Sequence, residues 1–347
     1  MASFNTPIVP FEGLNLLLTK DYCDAKLVVL ADENTRKYGL PHLLHVCPML
    51  QNALIIEIPS GEKHKNLQTF SMIIERLSEY LADRTSLLIN LGGGVICDMG
   101  GFAAACYKRG IDFVNIPTTL LAMVDAAYGG KTGVNFDHFK NQIGVFAPAK
   151  MIVIDVDFLQ TLPKSELLSG FAEMIKMALI TSVDFWDEIK AVDLMDFKTL
   201  KPLIIETIEK KRLVVEKDPT EEHSRKILNF GHTFGHAFET LALEQARELS
   251  HGHAVAMGML CELWLSEQIL KFDTEKRREV SEFIICNFPK YDIQPVDIPR
   301  LMDILLHDKK NVSNQIKPVL LNGIGNPVYD INCSKELCTK AFQTYIR

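Results

Sequence analysis

Apolar positions in the first half of the chain fall into short runs separated by helical stretches. Residues 26–31 (KLVVLA), 54–58 (LIIEI) and 86–91 (SLLINL) are β-rich and bounded by polar residues or by Pro and Gly, which predicts strands. Between the last two, Leu67, Phe70, Ile73, Ile74, Leu77 and Leu81 recur at helical spacing over 66–81 and give one apolar face. Strand, helix and strand in this order predict a parallel sheet with helices against its faces. Residues 113–116 and 151–155 are further candidate strands. After Thr161 the texture changes: 200–215 and 254–270 read as helices, with few β-rich runs before 318–321. The pattern predicts an N-terminal α/β domain with a parallel sheet over 1–160 and a mainly α-helical C-terminal domain over 161–347.

Composition agrees with two domains: 347 residues exceed one ordinary core, and 47% hydrophobic with 23% charged residues is a globular balance. No apolar run reaches the roughly eighteen residues of a membrane span, and the first residues lack a basic start and a continuous apolar stretch, so a cytoplasmic protein is expected. Eight cysteines are scattered without zinc-ribbon or disulfide-framework pairing and are expected to be reduced and mostly buried. A net charge of -7 without a basic tract argues against nucleic acid or an anionic membrane as the main partner.

The strand at 86–91 runs into Gly92, Gly93 and Gly94, and Gly100 and Gly101 follow. Glycines at a strand-to-helix turn let the backbone approach a pyrophosphate, where the helix N-terminus adds free N–H groups. The strict dinucleotide fingerprint is not met, because Cys97 occupies the last small position. The alternative is a tight turn that needs positive φ. A polar loop, SGEKHK at 60–65, follows the strand at 54–58, and both loops would lie at the carboxyl ends of strands, where ligands of such sheets collect.

In NFGHTFGHAFE (229–239), His232 and His236 stand four apart. On a helix they share a face, suited to two metal bonds or to one metal bond plus a catalytic proton carrier. His251 and His253 follow, so four of the ten histidines fall within 232–253. Glu173, in GFAEMIKMAL, is the best carboxylate to complete such a site, since an unpaired charge in that apolar context is costly and a metal would offset the cost. The alternative is a solvated helix position. Three protein ligands with open positions describe a catalytic metal. Lys131, Lys140, Lys176, Lys211 and Arg225 accompany the glycine- and histidine-bearing segments. Singly each reads as a solvated charge; together they predict a positive pocket for a multiply anionic small substrate.

These blocks resemble the 3-dehydroquinate synthase family: PSGEKHK (59–65), LGGGVICDMGGFAAACYKRG (91–110), PTTLLAMVDAAYGGKTGVN (117–135), KNQIG (140–144), FAEMIK (171–176), RKILNFGHTFGHAFE (225–239) and HGHAVAMGM (251–259). The resemblance implies an N-terminal nucleotide-binding domain, a helical metal- and substrate-binding domain, and a site in the cleft between them. It implies that Glu173, His232 and His251 hold zinc or cobalt and that His236 is a catalytic histidine beside it. NAD would meet Asp32, Ser60, Gly61, Glu62, Lys63, His64, Lys65, Gly94, Val95, Ile96, Cys97, Asp98, Thr118, Thr119, Lys131, Lys140, Phe158, Leu159, Gln160 and Thr161. The substrate would meet Asp125, Lys131, Asn141, Lys176, Lys211, Arg225, Asn229 and His236, with Arg109 reaching from the second subunit of a homodimer. A segment of Asp308, Lys309 and Lys310 would also reach the site. The chain departs from most relatives in reading His253 where they carry glutamate.

The activity so implied converts 3-deoxy-D-arabino-heptulosonate 7-phosphate to 3-dehydroquinate and phosphate in the shikimate pathway. NAD-mediated transient oxidation precedes phosphate elimination, re-reduction and intramolecular aldol closure. Three other readings compete. A sister sugar-phosphate cyclase would share the cofactors but not the carboxylated substrate, against which Lys211, Arg225 and Asn229 speak. A metal-dependent alcohol dehydrogenase would release NADH and would not need this lysine set. A silent regulatory relative would have lost Glu173, His236 or Lys176, and all three are present.

Overall fold

The structure, a computed structural model, describes residues 6–137, 139–307 and 315–346. The chain divides into two compact units, Met1–Pro163 and Lys164–Arg347.

Unit 1 comprises β1 (Ile8–Val9), α1 (Phe11–Asp21), β2 (Leu27–Asp32), α2 (Glu33–Tyr38), α3 (Leu40–Val46), β3 (Leu54–Ile58), α4 (Leu67–Glu79), β4 (Leu87–Gly92), α5 (Gly94–Cys106), β5 (Asp112–Pro117), β6 (Lys131–Phe136), β7 (Phe139–Phe146) and β8 (Met151–Val153). Six strands form one sheet in the order β1-β8-β5-β4-β2-β3, with every neighbouring pair parallel. Leu87–Gly92 is buried at every position, which is why its apolar run is unbroken where a half-exposed strand would alternate. From β2 the chain moves outward to β3, then returns to the other side of β2 for β4 and β5. The order therefore reverses between β2 and β4, the switch point where open α/β sheets bind ligands. Helix α4 starts where the Asn66 side chain accepts the Thr69 N–H at 3.0 Å, and it buries Ile73 and Leu77. A separate antiparallel hairpin pairs β6 with β7.

Unit 2 is mainly helical: α6 (Lys164–Thr181), α7 (Val183–Ala191), α8 (Phe197–Lys217), α9 (His232–Glu244), α10 (His251–Leu270), α11 (Thr274–Asn287), α12 (Ile298–His307), the short strands β9 (Leu320–Leu321) and β10 (Pro327–Val328), and α13 (Lys335–Ile346). Phe234, Phe238, Leu241, Cys261, Leu265, Leu301, Leu305 and Phe342 form one buried cluster, so α9, α10, α12 and α13 share a core. Cys47, Cys97, Cys261, Cys333 and Cys338 are buried, while Cys23, Cys106 and Cys286 are exposed; all eight are free thiols. Among the described residues no helix is long and apolar enough to cross a membrane.

Candidate active site

Glycines set how closely the helices of unit 2 approach. A Cβ on Gly252, in the first turn of α10, would lie 2.0 Å from the Ser169 carbonyl oxygen on α6. A Cβ on Gly258 would lie 1.9 Å from the Gly231 carbonyl oxygen, and one on Gly235 would lie 2.9 Å from that of Ala254. Backbone thus meets backbone, and side chains from α6, α9 and α10 converge on one point. Gly231 itself has φ +79°, a left-handed cap that ends the preceding turn and starts α9 at His232.

Glu173, His232 and His251 place one ligand atom each within 4.8 Å of one another. Glu173 Oε1 stands 3.6 Å from His232 Nε2 and 3.9 Å from His251 Nε2. Donors about 2.1 Å from a shared ion at tetrahedral angles stand roughly 3.4 Å apart, so a small closure completes a zinc-like site. Glu173 is 2% exposed, and among the described residues neither of its carboxylate oxygens has a hydrogen-bond partner. The Lys176 ammonium touches Oε2 as an ion pair without hydrogen-bond alignment. A buried carboxylate left with that bonding capacity fits a cation between it and the two imidazoles. His42, Asp155 and Asp157 are also close enough for a cation. There, Asp155 Oδ1 already accepts the Asp157 N–H at 3.0 Å, and Oδ2 meets His42 Nε2 at 2.8 Å.

The His236 ring lies 5.5 Å from that of His232 and 6.3 Å from that of His251, beside the cluster. His253 points elsewhere: its Nε2 meets the Pro289 carbonyl at 2.8 Å, its ring packs on Phe288, and burial holds its pKa below the usual histidine value against the pull of that carbonyl. Lys176, Lys211 and Arg225 are buried and not solvated, and their elements, α6, α8 and the turn 224–229, pack on one another. Arg225 donates from Nη1 to the Pro219 carbonyl at 2.7 Å, and its backbone N–H donates to Asp218 Oδ2 at 2.9 Å. Burial works against the Asp218 charge, but the N–H groups of Arg225, His223 and Glu222 outweigh it and hold this carboxyl below the usual range. Asn229 Nδ2 donates to Glu221 Oε1 at 2.8 Å. Asp308, Lys309 and Lys310 lie outside the described residues.

In unit 1, Asp32 and the glycine turn end the two strands that flank the switch point. Asp32 caps α2, its Oδ1 accepting the Thr35 N–H at 2.7 Å. Gly92, Gly93 and Gly94 do not use positive φ; Gly93 sits at −73°. They supply room: a Cβ on Gly92 would lie 2.4 Å from Ile96, and one on Gly93 would lie 3.1 Å from Thr119. Gly100 and Gly101 do the same for α5, facing Asn90 and Thr132. The N–H of Thr118 donates to the Gly92 carbonyl at 3.0 Å, so the two strand ends are tied together.

The loop 60–65 is held from both sides. Ser60 donates through its N–H and its hydroxyl to Glu33, at 2.6 and 2.9 Å. Gly61, Glu62 and Lys63 are exposed and His64 is half-buried. Lys65 is buried, and its Nζ donates to Asp98 Oδ2 and Asn141 Oδ1, both at 2.5 Å. Burial pushes the Asp98 carboxyl up, and Lys65 opposes that shift. Of the remaining residues, Val95 is half-buried on the first turn of α5, Ile96 and Cys97 are core, and Asp125 lies in the turn Ala122–Ala126 near Asp98. Lys131 and Lys140 are exposed on β6 and β7. In the turn Val156–Thr161, Phe158 and Leu159 are core while Gln160 and Thr161 are exposed. Arg109 is exposed after α5, with a left-handed backbone at φ 67°.

Two carboxylates beside the cluster are absent from the expected set. Glu239 Oε1 lies 3.7 Å from His251 Nδ1, and Glu262 Oε2 accepts the Gly231 N–H at 2.6 Å. Glu262 had a sign in the sequence, a charge inside the apolar run MLCELWL, whereas Glu239 looks like any polar helix position.

A parallel α/β unit with a glycine turn at its switch point, followed by a helical unit with a two-histidine, one-carboxylate cluster, is the plan of a metal-assisted enzyme acting with a nucleotide cofactor. Residues 55–169 match the family described as 3-dehydroquinate synthase N-terminal, and residues 170–311 match 3-dehydroquinate synthase C-terminal. The chain belongs to the 3-dehydroquinate synthase family. It is 42% identical over 322 residues to the 3-dehydroquinate synthase of Parabacteroides distasonis, covering 92% of this chain and 91% of that one. To the 3-dehydroquinate synthase of Helicobacter pylori it is 39% identical over 323 residues, covering 92% of each. Its structure resembles 2-epi-5-epi-valiolone synthase of Streptomyces hygroscopicus subsp. jinggangensis 5008, solved with NAD+ and Zn2+, at TM-score 0.85 and 26% identity over 99% of this chain and 97% of that one. The fold is also that of 2-deoxy-scyllo-inosose synthase complexed with carbaglucose-6-phosphate, NAD+ and Co2+, at TM-score 0.86 and 23% identity over 98% and 96% of the two chains.

Proposed function

We infer that the chain carries out its family's reaction, the conversion of 3-deoxy-D-arabino-heptulosonate 7-phosphate to 3-dehydroquinate and phosphate, a lyase step of the shikimate pathway to chorismate and aromatic amino acids. The observation that carries this reading is the Glu173, His232 and His251 cluster with buried Lys176 in contact with Glu173. Those three residues would hold zinc or cobalt, and unit 1 would hold NAD at its switch point; together these groups supply a reversible oxidation at C5 that makes the neighbouring C6 proton acidic.

The chain's own residues bind, orient and move protons. Lys176, Lys211 and Arg225 are cations withdrawn from water, where their pull on a carboxylate and a phosphate is stronger than at a surface. His236, whose ring lies beside that of His232, would take or return a proton as phosphate leaves. Asn229, turned toward Glu221, offers an amide for a substrate hydroxyl once that bond is exchanged. By the family resemblance Asp125, Lys131 and Asn141 also meet the substrate, and Arg109 meets it in a second copy of the chain. The homodimer and the cytoplasmic location belong to the same reading.

The test is product identification by mass with the full chain, NAD and zinc or cobalt. Dehydroquinate from the heptulosonate phosphate, with no turnover of sedoheptulose 7-phosphate, is expected. Turnover of sedoheptulose 7-phosphate alone would move the chain to a sister cyclase.

A further inference from the structure

Glu262 lies in the middle of α10, is 0% exposed, and stands in a run whose other members, Met259, Leu260, Cys261, Leu263, Trp264 and Leu265, are apolar. A carboxylate in such a core costs stability that an apolar side chain would not. Its Oε2 accepts the N–H of Gly231 at 2.6 Å. The other face of that same peptide group, the carbonyl of Phe230, lies 3.2 Å from Nδ1 of His232. A carbonyl oxygen only accepts, so Nδ1 carries the proton and Nε2 keeps its lone pair on the side facing Glu173 Oε1, 3.6 Å away.

We propose that Glu262 is a positioning residue for the metal ligand His232, acting through the Phe230–Gly231 peptide group as a carboxylate–peptide–imidazole relay. The carboxyl oxygen accepting from the amide N–H polarises the amide and makes its carbonyl a stronger acceptor. That strengthens the Nδ1–H bond, fixes the tautomer and raises the donor strength of Nε2. The relay also fixes where the ring stands. Gly231, at φ +79°, fits against α10 with no room for a Cβ, which would lie 2.6 Å from Met259 and 2.8 Å from the Val255 carbonyl. Glu262, Val255 and Met259 share α10 with the ligand His251, so one helix carries one histidine ligand and holds the peptide that orients the other.

The inference rests on the reading that Glu173, His232 and His251 hold the metal. Its test is the Co2+ affinity of the full chain, stripped by chelator and titrated in competition with a chromophoric chelator, together with the melting temperature of each metal-free protein. Glu262→Gln keeps a carbonyl acceptor of different strength and is expected to bind Co2+ about tenfold more weakly; Glu262→Leu, with no acceptor, is expected to lose roughly 10- to 100-fold. The metal-free melting temperature should hold or rise in Glu262→Leu, and the visible Co2+ bands should shift in both variants. Affinities indistinguishable from the parent, or losses that only track a falling metal-free melting temperature, would overturn the relay. A parent chain that binds no Co2+, or a His232→Ala variant that binds it as tightly as the parent, overturns the ligand assignment and the relay with it. The two failures are read on different proteins.

Discussion

The N–H of Gly252 donates to the Ser169 hydroxyl at 3.0 Å, and a Cβ on Gly252 would lie 2.0 Å from the Ser169 carbonyl oxygen. This contact joins the helix that carries Glu173 to the helix that carries His251. Gly252→Ala must push them apart, at a cost of about 3 kcal/mol. Urea unfolding should show that loss together with weakened Co2+ binding. Gly323→Ala, with nothing within 4 Å of its Cβ, should show neither. A stable, metal-binding Gly252→Ala would mean that the close approach does not build the site.

The two histidines of the HGH motif stand in different surroundings, His251 beside Glu173 and His232, and His253 on the Pro289 carbonyl. His251→Ala should lose bound metal and turnover together, as should His232→Ala. His253→Ala should keep both and cost only about 1 kcal/mol, from the hydrogen bond to the Pro289 carbonyl. Metal content by elemental analysis after gel filtration separates the cases, and a metal-free His253→Ala would exchange the two assignments.

Lys176 is 1% exposed and touches Glu173, so without a metal it is a neighbouring positive charge for a buried carboxylate. Lys176→Met should therefore destabilise the metal-free protein by about 3–5 kcal/mol, and added Co2+ should raise its melting temperature more than that of the parent. Equal gains in the two proteins would show that the lysine and the metal do not share Glu173.

In unit 2, hydrogen bonds from Lys190 and Lys276, aided by one from the Trp186 indole and opposed by burial, lower the Glu279 carboxyl to about 2. Because its folded pKa is depressed, its stabilisation is present above the ordinary carboxylate value and fades as pH falls from about 4.5 towards 2. The side chain is 36% exposed, so screening limits the effect to about 1 kcal/mol. Glu279→Gln should be less stable than the parent at neutral pH, with the gap closing in acid. A gap that stays constant with pH would reject the ion-pair account.

How much was legible depended on burial. The strands at 26–31 and 86–91 stand out because they are buried on both faces, and the edge strand at 54–58 stands out by its apolar run although Glu57 is exposed. The β6–β7 hairpin does not, since KTGVNF and FKNQIGVF mix charge, amide and glycine. It is held by backbone proximity, a Cβ on Gly133 falling 2.5 Å from the Ile143 carbonyl oxygen and one on Gly144 falling 2.3 Å from that of Thr132. The cluster of Glu173, His232 and His251 could be read because histidines are scarce and Glu173 sits in an apolar helix. Lys65 could not be placed: SGEKHK reads as solvated, and its burial depends on Asp98 and Asn141, 33 and 76 residues further along. Glu262 carried the same sign as Glu173, but its partner is a backbone N–H, which no side-chain pattern announces.

The most direct measurement of the central claim is phosphate release from 3-deoxy-D-arabino-heptulosonate 7-phosphate with NAD far below the substrate concentration, while absorbance follows NADH. The account predicts one phosphate and one dehydroquinate per substrate, no accumulating NADH, loss of turnover with a chelator and its return with zinc or cobalt. Net NADH formation, or turnover that a chelator leaves untouched, would contradict it.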